Sequence, residues 1–210
     1  MDAVSLRERS KERRYRAILL AGMRLFAEQG YEATTVAQIA EEAEVSPRSV
    51  SAYFPTKLDI ATASSAAAAR RLMDSFTSWT PERSIVDLVD RWLRDEPRFV
   101  PDEEWRVRAA MLHRNPLLHG ARAADPEPLV AAAATAIAAE LDVDPDDAAV
   151  QIILGIISGV VLRFELMAGY DRGSEGVLSL AHDALAGAFA AVRRARGKYW
   201  AGGPDGRTEA

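Results

Sequence analysis

The segment that most constrains the fold of this chain runs from Gly30 to Ile60 and reads GYEATTVAQIAEEAEVSPRSVSAYFPTKLDI. Thr34 and Thr35 precede apolar residues at helical spacing, and a threonine hydroxyl can accept a hydrogen bond from an unpaired N–H in the first turn of a helix. Ser46 followed by Pro47 is typical of a second helix start. Two short helices joined by a tight turn form a helix-turn-helix unit, whose second helix enters the DNA major groove.

This stretch resembles the N-terminal DNA-binding domain of TetR-type transcriptional regulators. The resemblance rests on Gly30, Thr34, Thr35, Ile39, Ala40, Ala43, Val45, Ser46, Tyr53, Phe54 and Lys57, with Ile18–Phe26 as the family's first helix. Glu44 departs from the family pattern, since glycine is usual at that place in the turn, and Ser51 departs because an aromatic residue is common there. A left-handed backbone at Glu44 would cost about 1–2 kcal/mol.

DNA recognition uses different residues for holding phosphates and for reading bases. Backbone N–H groups and a hydroxyl at a helix N-terminus suit a phosphate, which favours Thr34 and Thr35, and the resemblance implies the same role for Tyr53 and Lys57. The alternative for Lys57 and for Arg48 is a solvated surface charge. The predicted DNA-binding residues are Thr34, Thr35, Ser46, Arg48, Ser49, Ala52, Tyr53 and Lys57, of which Arg48, Ser49 and Ala52 are the candidate base readers, with Arg48 suited to guanine.

The net charge of −5 argues against a protein that binds polyanions over its whole surface. Residues 7–24, however, hold seven arginines and lysines against two glutamates, which makes a local basic surface. The part from Arg7 to Arg16 is either a DNA-contacting arm or a frayed charged terminus. The chain has no cysteine, which excludes a disulfide framework. The N-terminus lacks an apolar signal core, and the apolar run Ala148–Leu162 is shorter than the roughly 20 residues that span a bilayer, so we expect a cytoplasmic protein.

The fold class is predicted as all-α, because helical periodicity covers nearly the whole chain and no segment alternates like a strand. The predicted domains are a three-helix helix-turn-helix domain at 1–55, a helical ligand-binding and dimerisation domain at 56–200, and a disordered tail at 201–210. Outside the helix-turn-helix pair, helices are expected at about 9–29, 56–78, 84–95, 102–114, 117–140 with a break at 125–128, 144–168 and 174–196.

The C-terminal part shows no catalytic constellation, metal-ligand spacing or cofactor motif, so neither an enzyme nor a metal or cofactor site is predicted. It does offer the apolar walls and sparse polar groups of a ligand pocket, although plain core packing is the alternative for each aromatic residue. Arg106, Arg108, Arg114 and Arg163 are available for an anionic head group, with a solvated surface expected for at least two of them. The predicted pocket residues are Trp79, Trp92, Trp105, Arg106, Met111, His113, Leu117, His119, Arg163 and Phe164.

The last two predicted helices carry long apolar stripes and suggest a homodimer built as a four-helix bundle, with an intramolecular core as the alternative. The predicted interface residues are Gly155, Gly159, Leu185 and Phe189. The segment Arg106–Ala124 also resembles the C-terminal domain of regulators associated with mycofactocin systems.

These features together predict a homodimeric transcriptional repressor that binds a near-palindromic double-stranded DNA operator. A small hydrophobic or amphipathic effector would release it by favouring a conformation that no longer matches DNA. The alternatives are an activator or a ligand-independent regulator of the same fold, and a helical small-molecule-binding protein or enzyme with a vestigial helix-turn-helix. A converging set of titratable side chains in the pocket would favour the last of these.

Overall fold

The computed structural model describes residues 5–119, 127–167 and 174–199, and of His119 and residues 196–199 it describes the backbone alone. Within these ranges the chain is all-helical, with nine α-helices, one short 3₁₀ helix and no strand, which confirms the predicted fold class. The helices are α1 (Leu6–Glu28), α2 (Val36–Glu42), α3 (Pro47–Tyr53), α4 (Lys57–Thr77), α5 (Ile85–Phe99), α6 (Asp102–Arg114), α7 (Glu127–Leu141), α8 (Ala148–Leu166) and α9 (Glu175–Tyr199), with the 3₁₀ helix at Pro116–His119.

Most predicted helix boundaries lie within a few residues of the observed ones, and α6 has the predicted bounds. The prediction that Pro97 ends α5 is wrong, because the helix continues to Phe99. Pro97 lies in the last turn, where it removes a single hydrogen bond of the i to i−4 type, and the buried Trp92 and Leu93 precede it. The predicted tail at 201–210 and residues 125–126 of the predicted break lie outside the described residues, whereas residues 127–128 of that break are the start of α7, so the prediction is wrong there.

One compact unit consists of the described residues within 1–70, 97–126 and 165–170. Here α1 packs on α2 and α6, and α2 packs on α3. Gly22 allows α1 to approach α4, since a Cβ atom at that position would lie 2.5 Å from Cγ2 of the buried Ile60. The unit therefore includes α6, whereas the predicted domain boundary lay at residue 55.

The second compact unit consists of the described residues within 71–96, 127–164 and 171–210. Glu140 of α7 links three helices there, because its carboxylate accepts hydrogen bonds from the backbone N–H of Ile85 at 2.6 Å and from Nη2 of Arg193 at 2.7 Å. The Ile85 contact caps the start of α5. Arg71 also donates from Nε to the buried Glu96 at 3.0 Å.

Among the described residues, two helical segments are long and apolar enough to cross a membrane, judged by length and composition alone: Ala148–Leu166 and the part Glu175–Ala195 of α9. The sequence had predicted that the apolar run Ala148–Leu162 is too short to span a bilayer, whereas the whole of α8, at 19 residues, has the length and the apolar composition for it. Within the protein, 44% of the apolar window of α8 and 17% of that of α9 are buried. Both helices therefore carry apolar residues that the described part of the chain leaves exposed.

Candidate nucleic-acid interface and effector region

The first helix of the predicted helix-turn-helix pair begins at a capping box. Oγ1 of Thr35 accepts from the backbone N–H of Gln38 at 3.2 Å, and Oε1 of Gln38 accepts from the backbone N–H of Thr35 at 2.8 Å. Thr34 has a different role: its side chain is buried and donates from Oγ1 to the carbonyl of Gly30 at 2.8 Å. The prediction that Thr34 caps the helix and offers its hydroxyl to a phosphate is wrong, because that hydroxyl is used inside the loop.

The turn between α2 and α3 is a Schellman motif. The backbone N–H of Val45 donates to the carbonyl of Ala40 at 2.9 Å, and that of Glu44 donates to the carbonyl of Glu41 at 3.0 Å. Glu44 occupies the left-handed region with φ 53°, where glycine is the favoured residue. The turn that the sequence predicted is therefore present, with the strain that a glutamate brings to it.

The second helix, α3, is capped by Ser46, whose Oγ accepts from the backbone N–H of Ser49 at 3.1 Å. Val50 is buried and holds the inner face of α3 against the unit. Arg48 and Ala52 are exposed and lie one helical turn apart on the outer face, as a base-reading surface requires. Ser51 is exposed beside them, and its helical spacing from Arg48 would have placed it on the same face from sequence alone.

Phe54 ends α3 and is buried, with its ring stacked on that of Tyr15 at a centroid distance of 4.8 Å. This contact joins the end of the predicted recognition helix to α1. Burial, chiefly, raises the pKa of the Tyr15 phenol, so the stacked pair is uncharged at neutral pH. Tyr53, a predicted phosphate contact, is half-buried at the last position of α3.

Lys57, the other predicted phosphate contact, directs its ammonium group toward the protein backbone. Nζ donates to the carbonyl of Tyr31 at 2.6 Å and to that of Thr34 at 2.9 Å. It also lies 4.3 Å from the centroid of the Tyr31 ring. The phosphate role of Lys57 therefore competes with bonds that the side chain already makes.

The basic N-terminal segment is the start of a continuous helix. Ser5 and Glu8 form a capping box, in which the Ser5 Oγ accepts from the Glu8 N–H at 3.2 Å and the Glu8 carboxylate accepts from the Ser5 N–H at 2.8 Å. The cap lowers the pKa of Glu8, first through the hydrogen bond from the Ser5 backbone. The cationic side chains of the first three turns are exposed and form two stripes at helical spacing, Arg7, Lys11 and Arg14 in one and Arg9, Arg13 and Arg16 in the other.

The predicted pocket residues divide between the two compact units. Trp105 and Met111 are buried in the first unit, and Trp92 and Phe164 are buried in the second. Trp79 is half-buried and donates from Nε1 to the carbonyl of Arg83 at 2.7 Å. Buried apolar side chains are thus available in both units.

Several other predicted pocket residues do not line an apolar interior. Arg106 and Arg163 are exposed, and Leu117 is 91% exposed on the 3₁₀ helix, so these three predictions are wrong. His113 lies at the end of α6, where its Nε2 is 3.1 Å from the carbonyl oxygen of Leu166, and the side chain of His119 lies outside the described residues.

Of the four arginines considered for an anionic head group, Arg108 is the one that the protein buries completely. Its Nη1 donates to Oγ of the buried Ser64 at 3.1 Å, and its Cζ lies 4.6 Å from the centroid of the Trp105 ring. Ser64 in turn donates to Glu104 at 2.9 Å. The sequence alone gave no reason to separate Arg108 from its exposed neighbours.

The predicted dimer residues also divide. A Cβ atom built on Gly155 or on Gly159 would meet nothing within 4 Å, so both glycines face open space. Leu185 and Phe189 are instead buried within the protomer, and their assignment to an exposed interface is wrong. The outer face of α9 carries Leu180, which is 71% exposed, about one and a half turns before Leu185.

Among the residues that the structure describes, no group of three or more histidine, cysteine, aspartate or glutamate side chains is placed to hold a metal ion. A groove of about 200 Å³ lies in the second unit and contains none of the predicted pocket residues. Its lining consists of Ser84, Val86, Asp87, Glu140, His182, Ala186, Phe189 and Arg193.

Residues 18–63 match the family model of bacterial regulatory proteins of the tetR family. Over 56 residues the chain is 43% identical to the HTH-type transcriptional regulator TcmR of Streptomyces glaucescens. That match spans 27% of this chain and 25% of TcmR, so it covers about a quarter of each protein.

Solved structures resemble a much larger part of the chain. A tetR-family transcriptional regulator from Streptomyces coelicolor matches 90% of this chain and 85% of its own, with a TM-score of 0.53 and 22% identity. The multidrug binding protein EbrR, solved in complex with imidazole, matches 86% of this chain and 92% of its own, with a TM-score of 0.50 and 18% identity. At these identities the likeness concerns the fold, an N-terminal helix-turn-helix followed by a larger helical part.

Proposed function

We propose that this chain, a TetR-family transcriptional regulator, is a homodimeric cytoplasmic repressor whose operator binding is relieved by a small apolar or amphipathic effector. The observation that carries the proposal is the outer face of α3, where Arg48 and Ala52 are exposed while Val50 and Phe54 anchor the opposite face. A helix fixed in this way can enter the major groove without losing its own core contacts.

The DNA surface that we propose joins base readers on α3 to phosphate contacts around them. Arg48 is the principal base reader, with Ser49 and Ala52 beside it. Thr35 and Ser46 cap the starts of α2 and α3, where phosphates bind, and the Tyr53 hydroxyl at the end of α3 is a further phosphate contact. The cationic stripes of α1 supply further phosphate contacts, because α1 touches the end of α3 through the stacked pair of Tyr15 and Phe54.

The homodimer is supported by the uncovered apolar faces of α8 and α9. Ile152 is 54% exposed, and Gly155 and Gly159 follow it on the same face of α8 at intervals of about one turn. Glycines in such a row allow the backbone of a second helix to come close. Two copies related by a two-fold axis would cover these faces, and would also present two recognition helices to a near-palindromic site.

The effector is supported by the buried aromatic residues and by the fully buried Arg108 beside Trp105. An apolar body with an anionic or polar end fits such surroundings best. EbrR, which shares the fold, is described as a multidrug binding protein, and this chain would use the corresponding helical part for an effector of its own. The resemblance to mycofactocin-associated regulators is a separate prediction about which genes the protein controls.

The proposal is tested with Arg48→Ala on an operator obtained by selection from random DNA. Loss of a bidentate contact to guanine should weaken specific binding by about 1–3 kcal/mol and change binding to scrambled DNA much less. Arg91→Ala, which removes an exposed arginine from α5, is the matched control and should bind like the wild type. An equal loss on specific and scrambled DNA would make Arg48 a phosphate contact, and no loss would remove α3 from the interface.

A further inference from the structure

The loop between α1 and α2, residues 29–35, is held at Tyr31 by side chains from two distant helices. The backbone N–H of Tyr31 donates to Oδ1 of Asn115 at 2.7 Å, and the backbone carbonyl of Tyr31 accepts from Nζ of Lys57 at 2.6 Å. Asn115 directly follows α6, and Lys57 is the first residue of α4. Both polar groups of a single loop residue are therefore bound to side chains that come from outside the helix-turn-helix pair.

Asn115 uses its entire carboxamide at this point. Nδ2 donates to the carbonyl of Phe26 at 2.9 Å and to that of Met111 at 2.7 Å, while Oδ1 accepts from Tyr31. The two carbonyls belong to the last turns of α1 and α6, and that of Met111 also accepts the backbone N–H of Asn115 at 3.0 Å. An asparagine side chain has two N–H donors, and both are used here, so an aspartate would keep the acceptor and lose both donated bonds.

Lys57 holds the same loop from the other side. Besides the carbonyl of Tyr31, Nζ donates to the carbonyl of Thr34 at 2.9 Å and lies 3.5 Å from that of Glu32. An ammonium group has three N–H donors, and three carbonyl oxygens of the loop surround this one. A DNA phosphate would have to displace these oxygens to bind Lys57 directly.

The loop in turn sets the start of α2. Thr34 donates from Oγ1 to the carbonyl of Gly30 at 2.8 Å, and Thr35 opens the capping box of α2. Gly30 has φ 94°, a conformation that other residues adopt only with strain. A displacement of Tyr31 would therefore also shift Thr34 and Thr35, and with them the start of α2. The turn and α3 follow directly after α2.

We infer that Asn115 and Lys57 are positioning residues for operator binding, which fix the loop before α2 from α6 and α4 and act through it on α3. The inference rests on the proposed function, because it assumes that α3 binds DNA. It assigns Lys57 to the loop instead of to a phosphate, and it gives the end of α6 a direct connection to the DNA-binding helices.

The experiment compares Asn115→Ala and Lys57→Met with the wild-type protein, on the selected operator and over a range of salt concentrations. We expect each variant to bind about tenfold more weakly, which corresponds to roughly 1.4 kcal/mol, the size of one hydrogen bond. The plot of log K against log salt should keep its slope, since no phosphate contact is lost. Losing one phosphate contact would reduce the magnitude of that slope by about one unit. Arg91→Met, which removes an exposed charge from α5, is the control for the lost charge of Lys57.

A second measurement follows the free protein by hydrogen exchange, without DNA. The amide of Tyr31 should exchange faster in Asn115→Ala, and that of Thr34, which donates to the Tyr31 carbonyl at 3.3 Å, should exchange faster in Lys57→Met. The two substitutions lie on different segments, so either folded variant is sufficient for the test.

The inference is overturned if Lys57→Met lowers the salt slope by about one unit while the loop amides exchange as in the wild type. It is overturned as well if both variants bind the operator normally. Absence of specific binding by the wild-type protein would reject the proposed function instead, and is recognised before any variant is measured.

Discussion

Glu44→Gly should make the protein more stable, because it relieves a left-handed residue in the turn between α2 and α3. Glu44 has φ 53° and an exposed side chain. For a residue with a Cβ atom this conformation costs about 1–2 kcal/mol of folding free energy, whereas glycine adopts it without strain. Glycine also makes the unfolded chain more flexible, which costs about 0.5–1 kcal/mol. At mid-range the two effects are about 1.5 and about 0.75 kcal/mol, so the net gain is about 0.5–1 kcal/mol.

For a chain of this length, a gain of that size raises the melting temperature by about 1–4 °C. The assay is thermal and urea unfolding at one fixed protein concentration, because a dimer's apparent stability depends on concentration. Glu44→Ala is the matched control: it removes the carboxylate but keeps the strained Cβ atom, so it should leave stability within about 0.5 kcal/mol of the wild type. Asp142→Gly, at the other described non-glycine residue of positive φ, should gain less because aspartate tolerates this region better. The reasoning is refuted if Glu44→Gly is no more stable than Glu44→Ala.

Three further outcomes are expected. Leu180→Glu should convert the dimer to a monomer at micromolar concentration, as measured by sedimentation. Leu117→Glu, which changes an exposed side chain of the other unit, should leave the dimer intact. A monomeric wild-type protein would reject the dimer. Arg13→Ala in the α1 stripe should weaken binding to all DNA sequences alike and lower the salt slope by about one unit, and an unchanged slope would remove α1 from the phosphate contacts. A hydrophobic acid or aromatic compound that raises the melting temperature should also quench tryptophan fluorescence. The same compound should release DNA with a coupling free energy of about 1–3 kcal/mol. If every stabilising compound left DNA binding unchanged, the ligand site would be a carrier site.

The helix-turn-helix was predictable because its signals are local. Caps such as Thr35 and Ser46, the proline after Ser46 and the apolar spacing of Ile39 and Val50 act within one or two turns of chain. For Glu44 the resemblance to TetR-type regulators supplied the information, because glycine is usual at that place in the turn, and the left-handed backbone there agrees with it. Local patterns decide these features before any tertiary packing is added.

The roles of Thr34, Lys57 and Arg108 could not be predicted, because each depends on partners far away in sequence or on burial. Lys57 donates hydrogen bonds to carbonyl oxygens of the α1–α2 loop, and Asn115 accepts one from Tyr31, which lies 84 positions away in the sequence. Arg108 is buried while Arg106 and Arg163 are exposed, although the three look alike in the sequence. Leu185 likewise shares an apolar stripe with residues of α9 that face outward. Periodicity identifies an apolar stripe and leaves open which part of it the protomer covers.

The decisive experiment for a dimeric operator-binding regulator is selection of bound duplexes from a random DNA pool by the wild-type protein. The stoichiometry of the selected complex is then determined by sedimentation. A dimeric helix-turn-helix regulator should enrich a near-palindromic sequence whose half-sites lie about one helical turn, or a multiple of it, apart, and each site should bind an even number of chains. Selection of no common sequence, or of a single asymmetric site bound by one chain, would contradict a homodimeric operator-binding repressor.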